Sequence, residues 1–167
     1  REETEPKNNF DVSAALEALK KSKKPFIYAG GGIISSGAEE ELLSLSQKLS
    51  APIGFSMMGL TAVSADYSLN LGMCGMHGLY ASTVAQSECD LMLAVGVRFS
   101  DRATGDVNEF GKGKTIIHID IDPSEFGKNI ASHIDICGDL KDILKELAEK
   151  LPAFENPLWL NRIEELK

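Results

Sequence analysis

The chain has 167 residues, 43% of them hydrophobic and 25% charged, with a formal net charge of -8 at pH 7. That length encloses one ordinary domain core and is short for two, and no apolar stretch approaches the roughly 20 residues that span a bilayer. The acidic balance argues against general attraction to nucleic acid or anionic lipid, both of which need clustered Lys and Arg, so an anionic ligand has to be held locally.

Residues 1–10, REETEPKNNF, are polar and aperiodic with one proline, and read as an incoming linker. No basic-then-apolar leader follows Arg1, so the chain is expected to be a cytoplasmic piece of a longer protein. Asp11 is placed to cap a helix over VSAALEALKKS, with Ala14, Leu16 and Leu19 spaced for one apolar face, and Pro25 blocks its continuation. A strand, Phe26-Ile27-Tyr28-Ala29, then closes on Gly30-Gly31-Gly32. In AEEELLSLSQKL the glutamates fall in a first helical turn, where they suit the positive end of the helix dipole, and Leu42, Leu45 and Leu49 share a face. Pro52-Ile53-Gly54-Phe55 reads as a second strand. Residues 57–78, rich in glycine and methionine, read as loop with at most one short helix.

A helix from about Leu79 to Ser87 leads into the apolar strand Leu91-Met92-Leu93-Ala94-Val95, which opens onto the charged loop GVRFSDRATGD. Residues 115–122 form the clearest strand, with Ile117, Ile119 and Ile121 on one face and His118, Asp120 and Asp122 on the other. Ile134-Asp135-Ile136-Cys137 is a last short strand, and Asp139 is placed to cap the helix LKDILKELAEKL, with Asp142 at its third position. Residues 152–167 read as an outgoing linker with a short helix, which sets the domain proper at residues 11–151. Short apolar strands alternating with helices predict a doubly wound, mainly parallel α/β sheet with helices on both faces, a Rossmann-like three-layer arrangement.

In such sheets ligands sit beyond the carboxyl ends of the strands. Four strand ends carry unusual residues: the Gly30-Gly31-Gly32 turn, Gly96-Val97-Arg98 with Asp101 and Arg102, Asp120 with Asp122, and Gly138-Asp139. Glycines let a phosphate approach the backbone, arginines add charge and donors, and an acid at a strand end accepts hydrogen bonds from ribose hydroxyls. Together they predict a dinucleotide crevice. Each element also has a plainer reading: a tight turn for the glycines, a surface ion-pair group of Arg98 and Arg102 with Asp101 and Asp106, a cap for Asp139, and core or interface filler for Met57, Met58, Met73 and Met76.

Other chemistries find less support. Gly113-Lys114-Thr115 ends like a P-loop, but the first glycine of that motif would fall on Asn108 and the segment precedes a strand. Cys74, Cys89 and Cys137 are odd in number and lack C-x-x-C spacing, so three buried thiols are expected, and His77, His118 and His133 have no metal-ligand spacing. No Ser, His, Asp order supports a hydrolase triad.

The segments YAGGGI, MMGL, LGMCGMHG, CDLMLAVGVRFSDRATG, IIHIDIDPSEFGKN and CGDLKDIL, in this order, resemble the central domain of acetolactate synthase large subunits, thiamine-diphosphate enzymes of branched-chain amino-acid synthesis. The resemblance covers about residues 10–150. It implies that the intact enzyme is a transferase that condenses two pyruvates, or pyruvate with 2-ketobutyrate, into an acetohydroxy acid with loss of carbon dioxide. It implies FAD in this domain, doing no net redox work, and thiamine diphosphate with Mg2+ in the domains on either side. Carried over by position, the FAD contacts are Gly31, then Ser56 and Met57, then Gly75, Met76 and His77, then Gly96, Val97, Arg98, Phe99 and Ser100, then Asp120 and Ile121, then Asp139 and Leu140. Arg102 matches a residue at the substrate channel between domains. The implied partners are the flanking domains, further copies in a homodimer or tetramer, and a small regulatory subunit, with no nucleic acid and no membrane. Lacking the glutamate and the magnesium segment that the family carries elsewhere, the isolated chain is expected to be inactive.

Where the family has Phe-Asp-Asp-Arg, this chain has Phe99-Ser100-Asp101-Arg102, one carboxylate fewer, and the helix after the glycine turn is slightly longer. Two alternatives stand beside this reading: a ligand-free spacer or dimerisation module of a flavin-independent relative, and a nicotinamide-binding oxidoreductase domain, against which the missing G-x-G-x-x-G spacing counts.

Overall fold

The apolar runs Pro25–Ala29 (β1) and Leu91–Val95 (β4) are buried at every position, as strands covered on both faces must be. In the computed structural model, which describes residues 10–75, 79–99, 111–128 and 130–167, they pair in parallel with Ala29 opposite Val95. Ile53–Phe55 (β2) and Asn70–Met73 (β3) extend the sheet beyond β1, and Thr115–Asp120 (β5) and Ile134–Cys137 (β6) extend it beyond β4. Among the described residues the order is β3-β2-β1-β4-β5-β6, every pair parallel. The chain steps outward from β1 to β3, crosses back over the middle, and steps outward again, so the winding reverses between β1 and β4. The doubly wound α/β fold expected from the strand and helix alternation is the fold observed.

Successive side chains divide between two cores, as the period of a strand dictates. Ile27, Ala29, Leu93, Val95, Ile117 and Ile119 pack against Ser13–Lys21 (α1), Gly32–Ser36 (α2), Glu39–Leu49 (α3) and Leu140–Lys150 (α5). Phe26, Tyr28, Met92, Ala94 and Ile116 pack against Tyr80–Glu88 (α4) and Pro157–Leu166 (α6). Helix α3 buries Leu42, Leu45 and Leu49 as their spacing predicts. At α5 the Asp139 carboxylate accepts the Asp142 N–H at 3.1 Å, a cap that contributes about 0.5–2 kcal/mol, and Ile143, Leu144 and Leu147 hold the helix on the sheet.

Several expectations are corrected. Val12, just before helix α1, is buried with Ala15 and Leu19 of the helix, while Ala14 is exposed: the stripe begins two residues earlier, next to the Asp11 carboxylate that accepts the Ser13 N–H at 2.9 Å. Residues 57–78 contain strand β3, which the sequence hides because Asn70 and Gly72 are poor strand formers and only Leu71 is fully buried. Its outer edge is closed locally: the Asn70 side chain accepts the Gly72 N–H at 2.9 Å, and Met73 O accepts the Leu79 N–H at 2.9 Å. Such self-satisfaction blunts an edge that would otherwise pair with another chain. Strand β5 stops at Asp120, so Ile121 does not share the face of Ile117 and Ile119 and stands 65% exposed. The cause is a turn in which Asp120 Oδ1 accepts the Asp122 N–H at 3.0 Å. Cys74 and Cys89 are buried, but Cys137 is exposed, because it points outward from the edge strand β6. The short helix expected within 152–167 is α6, and its Trp159, Ile163 and Leu166 are buried in the second core. No helix among the described residues is long and apolar enough to cross a membrane.

Candidate functional site

Because the strands are parallel, their carboxyl ends lie along one edge, and the winding reverses between β1 and β4, the place where ligands bind in open sheets of this kind. Gly31 follows β1, Ser56 and Met57 follow β2, and Gly75 follows β3. Gly96, Val97, Arg98 and Phe99 follow β4, Asp120 ends β5 with Ile121 after it, and Asp139 and Leu140 follow β6. The structure therefore brings these residues to one edge. Met76, His77, Ser100 and Arg102, with Asp101 and Asp106, lie outside the described residues.

The turns after β1 and β4 touch backbone to backbone. Gly30 N–H donates to Val95 O and Gly32 N–H to Gly96 O, each at 3.0 Å, while Gly96 N–H reaches Ile119 O at 2.9 Å. A Cβ on Gly30 would sit 2.4 Å from Gly96 O, and Gly96 has φ +59° with its own Cβ position 2.8 Å from Gly32 Cα. The outer two glycines are thus required by close packing. Gly31 is different: its N–H has no acceptor among the described residues, and the atoms nearest an added Cβ all belong to Met58, the closest at 3.0 Å. It is the glycine of the three with a donor and a surface to offer a ligand.

The other predicted positions divide into two kinds. Val97, Phe99 and Leu140 turn their side chains into the cores, Leu140 lying under Gly32 and Gly96, so only their backbones face the edge. Met57 and Met58 are 73% and 75% exposed, which rules out core filler for this pair, and with Ile121 they give the edge an apolar rim. Met58, which is not among the residues implied by the resemblance, covers Gly31. Arg98 is solvent-exposed, its Nε 3.8 Å from Glu125 Oε1, which lies equally far from Lys128 Nζ. Glu125 had no signal in the sequence as a partner of Arg98. The turn from Asp122 to Glu125 brings it there, with Asp122 accepting the Ser124 N–H at 2.9 Å. Those hydrogen bonds from Ser124 hold the Asp122 carboxyl below its ordinary range.

Asp120 is nearly buried, with Oδ2 3.9 Å from His118 Nε2. His118 is 1% exposed, and burial holds its imidazole below the ordinary histidine value of 6.5 despite the Val97 carbonyl and Asp120, which act the other way. Burial likewise pushes the Tyr28 phenol far above its ordinary range. Cys89 lies before β4 at the opposite edge, whereas Cys74 follows β3 at this edge but turns its thiol into the core: burial pushes Cys74 up to about 12 and Cys89 up to about 11, so both stay protonated and inert. Lys114, of the discarded P-loop match, is buried before β5 at the opposite edge, with Nζ on Gln86 O.

Among the described residues the edge thus offers a backbone donor without an acceptor, a solvent-exposed cation, a carboxylate at a strand end and an apolar rim, a set suited to an elongated ligand that is anionic in one part and flat and apolar in another. Over residues 12–147 the chain matches the family model described as thiamine pyrophosphate enzyme, central domain. It is 46% identical over 161 residues to the probable acetolactate synthase large subunit of Methanocaldococcus jannaschii, covering 95% of this chain and 27% of that protein. To the probable acetolactate synthase large subunit of Methanococcus aeolicus it is 45% identical over 145 residues, 87% of this chain and 24% of the relative. To the acetolactate synthase isozyme 3 large subunit of Escherichia coli it is 37% identical over 161 residues, 92% and 28% of the two chains. The chain spans about a quarter of the length of the curated relatives it matches.

Proposed function

The chain belongs to the family of thiamine pyrophosphate enzyme central domains, and from that premise we propose that residues 11–151 bind FAD at the carboxyl edge, as the middle domain of an acetolactate synthase large subunit. The reading rests above all on the winding reversal between β1 and β4, where Gly31, whose N–H has no acceptor among the described residues, sits between two glycines consumed by packing. The Gly31 and Val97 N–H groups receive the pyrophosphate, with Arg98 as the counter-charge, and Asp120 accepts from ribose hydroxyls. Met57, Met58 and Ile121 supply an apolar platform for the flat ring system. Ser56, Gly75, Phe99, Asp139 and Leu140 contribute mainly through backbone groups, and Met76, His77 and Ser100 enter on the resemblance alone. When bound, the flavin fills and stiffens the crevice, and no net electron transfer is assigned to it.

In the full-length protein this domain would stand between thiamine-diphosphate and Mg2+ binding domains, with Arg102 at the substrate channel. That cytoplasmic transferase would condense two pyruvates, or pyruvate with 2-ketobutyrate. The name large subunit borne by the relatives supports a small partner subunit, while its regulatory role and a homodimer or tetramer of this subunit enter on the resemblance alone. The chain by itself is expected to turn over no pyruvate. A thermal melt with FAD tests the central point: at a hundredfold excess over Kd, binding adds about 2.7 kcal/mol, a rise of roughly 5–10 °C for a chain of this size, and NAD adds nothing. A melting temperature indifferent to FAD would refute the flavin site and leave the ligand-free spacer.

A further inference from the structure

His118 sits at the centre of the groups that shape the Arg98 side of the crevice. Its Nε2 is 3.3 Å from the Val97 carbonyl oxygen, on the loop after β4. Its ring meets Phe99 edge-on, centroids 5.1 Å apart, and meets Phe126 in the same way at 5.1 Å. Phe99 belongs to the loop that carries Arg98, and Phe126 follows Glu125, to which Arg98 reaches. In register, Ala94 lies between Tyr28 and His118 on adjacent strands. The small alanine leaves a notch between two rings, and Phe99 covers it, 6.0 Å from Tyr28 on its other side.

A carbonyl oxygen can only accept, so the 3.3 Å contact requires the proton on Nε2. Nδ1 is then a bare acceptor, buried and without a partner among the described residues. The ionisable groups around the ring are Asp120 on its own strand, Asp135 opposite it on β6, Glu125 in the following turn, and the Tyr28 phenol beyond Phe99. Three carboxylates favour a charged ring, yet a proton added at Nδ1 would have no acceptor in a dry site. The ring is held neutral in one tautomer.

We propose that His118 is a positioning residue: its Nε2–H anchors the Val97 carbonyl and its ring seats Phe99 and Phe126, which together hold the loop carrying Arg98 in the form that meets an anionic ligand. The ligand side of this inference rests on the flavin reading above, whereas the anchoring of the loop does not.

The test uses the chain itself in wild-type, His118→Phe and His118→Gln forms. Glutamine places an amide N–H near the Nε2 position without titrating, so it restores the donor that phenylalanine lacks. Nitrogen-15 NMR of the ligand-free wild type is expected to show the Nε2–H tautomer at His118. His118→Phe is expected to speed amide hydrogen exchange at Arg98 and Phe99, and to raise the FAD Kd, each about tenfold, the scale of one lost hydrogen bond, with His118→Gln recovering both to within about threefold of wild type. An Nδ1–H tautomer, an unchanged loop in His118→Phe, or a folded His118→Gln as impaired as His118→Phe would overturn the proposal. Should His118→Phe not fold, His118→Gln decides by the same exchange measurement: a protected loop supports the anchor and an opened one overturns it. If no form binds FAD, the flavin reading fails while tautomer and exchange still decide the role of His118.

Discussion

Where the strands begin, polar groups are used up on one another. The Asp90 carboxylate takes Ser22 Oγ at 2.5 Å and the Lys23 N–H at 2.8 Å, Asp90 O accepts the Thr115 N–H at 3.0 Å, and Trp159 Nε1 donates to Pro25 O at 2.9 Å. Where the strands end, Gly31 keeps a donor without an acceptor among the described residues, Arg98 extends into solvent, and Met57, Met58 and Ile121 leave apolar surface exposed. Among the described residues one sheet, with the same parallel strands, has its polar groups paired with one another at one edge (closed) and keeps an unpaired backbone donor at the other (open). The difference separates residues that hold the domain together from residues free to meet a ligand, and substitutions at the two edges should have separable effects.

The largest expected effect is at the closed edge. Trp159→Ala removes a buried indole and the hydrogen bond that ties α6 to the start of β1, and should cost about 3–5 kcal/mol, a drop in melting temperature of roughly 10 °C or more by calorimetry. The FAD affinity of the molecules that remain folded should not change, and a parallel loss of affinity would break the separation of the edges. At the open edge Asp120→Asn keeps an oxygen to accept the Asp122 N–H but loses the charge. It should weaken FAD about tenfold by titration, with stability altered by less than about 1 kcal/mol. A loss of stability without a loss of affinity would place Asp120 with the closed edge.

A smaller effect, of known sign, concerns pH. Above the ordinary histidine value of 6.5 both the folded and unfolded chains carry His118 neutral, so the group adds no pH dependence. As pH falls below 6.5 the unfolded chain takes up a proton that the buried ring resists, and stability is lost progressively toward the lowered folded value. Denaturation midpoints measured across this range should fall less steeply in His118→Gln than in wild type. Equal slopes would assign the acid sensitivity to other groups.

How much of this was legible in the sequence depended on whether the deciding physics was local. The apolar runs of β1 and β4, the leucine spacing of α3 and the Asp139 cap of α5 are local patterns, and each appears where it was expected. Strand β3 depends on pairing with β2 to overcome Asn70 and Gly72, whose own preferences oppose it, so no local pattern announces it. The site divides in the same way. Glycines and acids at strand ends mark the edge from sequence alone, but the division of labour within Gly30-Gly31-Gly32 exists only because β4 lies beside β1 and brings Gly96 against two of them. His118 could be placed on the face of Asp120 by alternation. Its hold on Val97, Phe99 and Phe126 needs the loops after two different strands, and those meet only in the folded chain.

Amide hydrogen exchange of the chain with and without FAD tests the open edge most directly. The expected result is slowed exchange confined to the carboxyl ends of the strands, at Gly31, Gly96, Arg98 and neighbouring amides, with Lys23, Asp90 and Thr115 at the opposite edge unaffected. Protection at the amino ends, or none anywhere at saturating FAD, would contradict it.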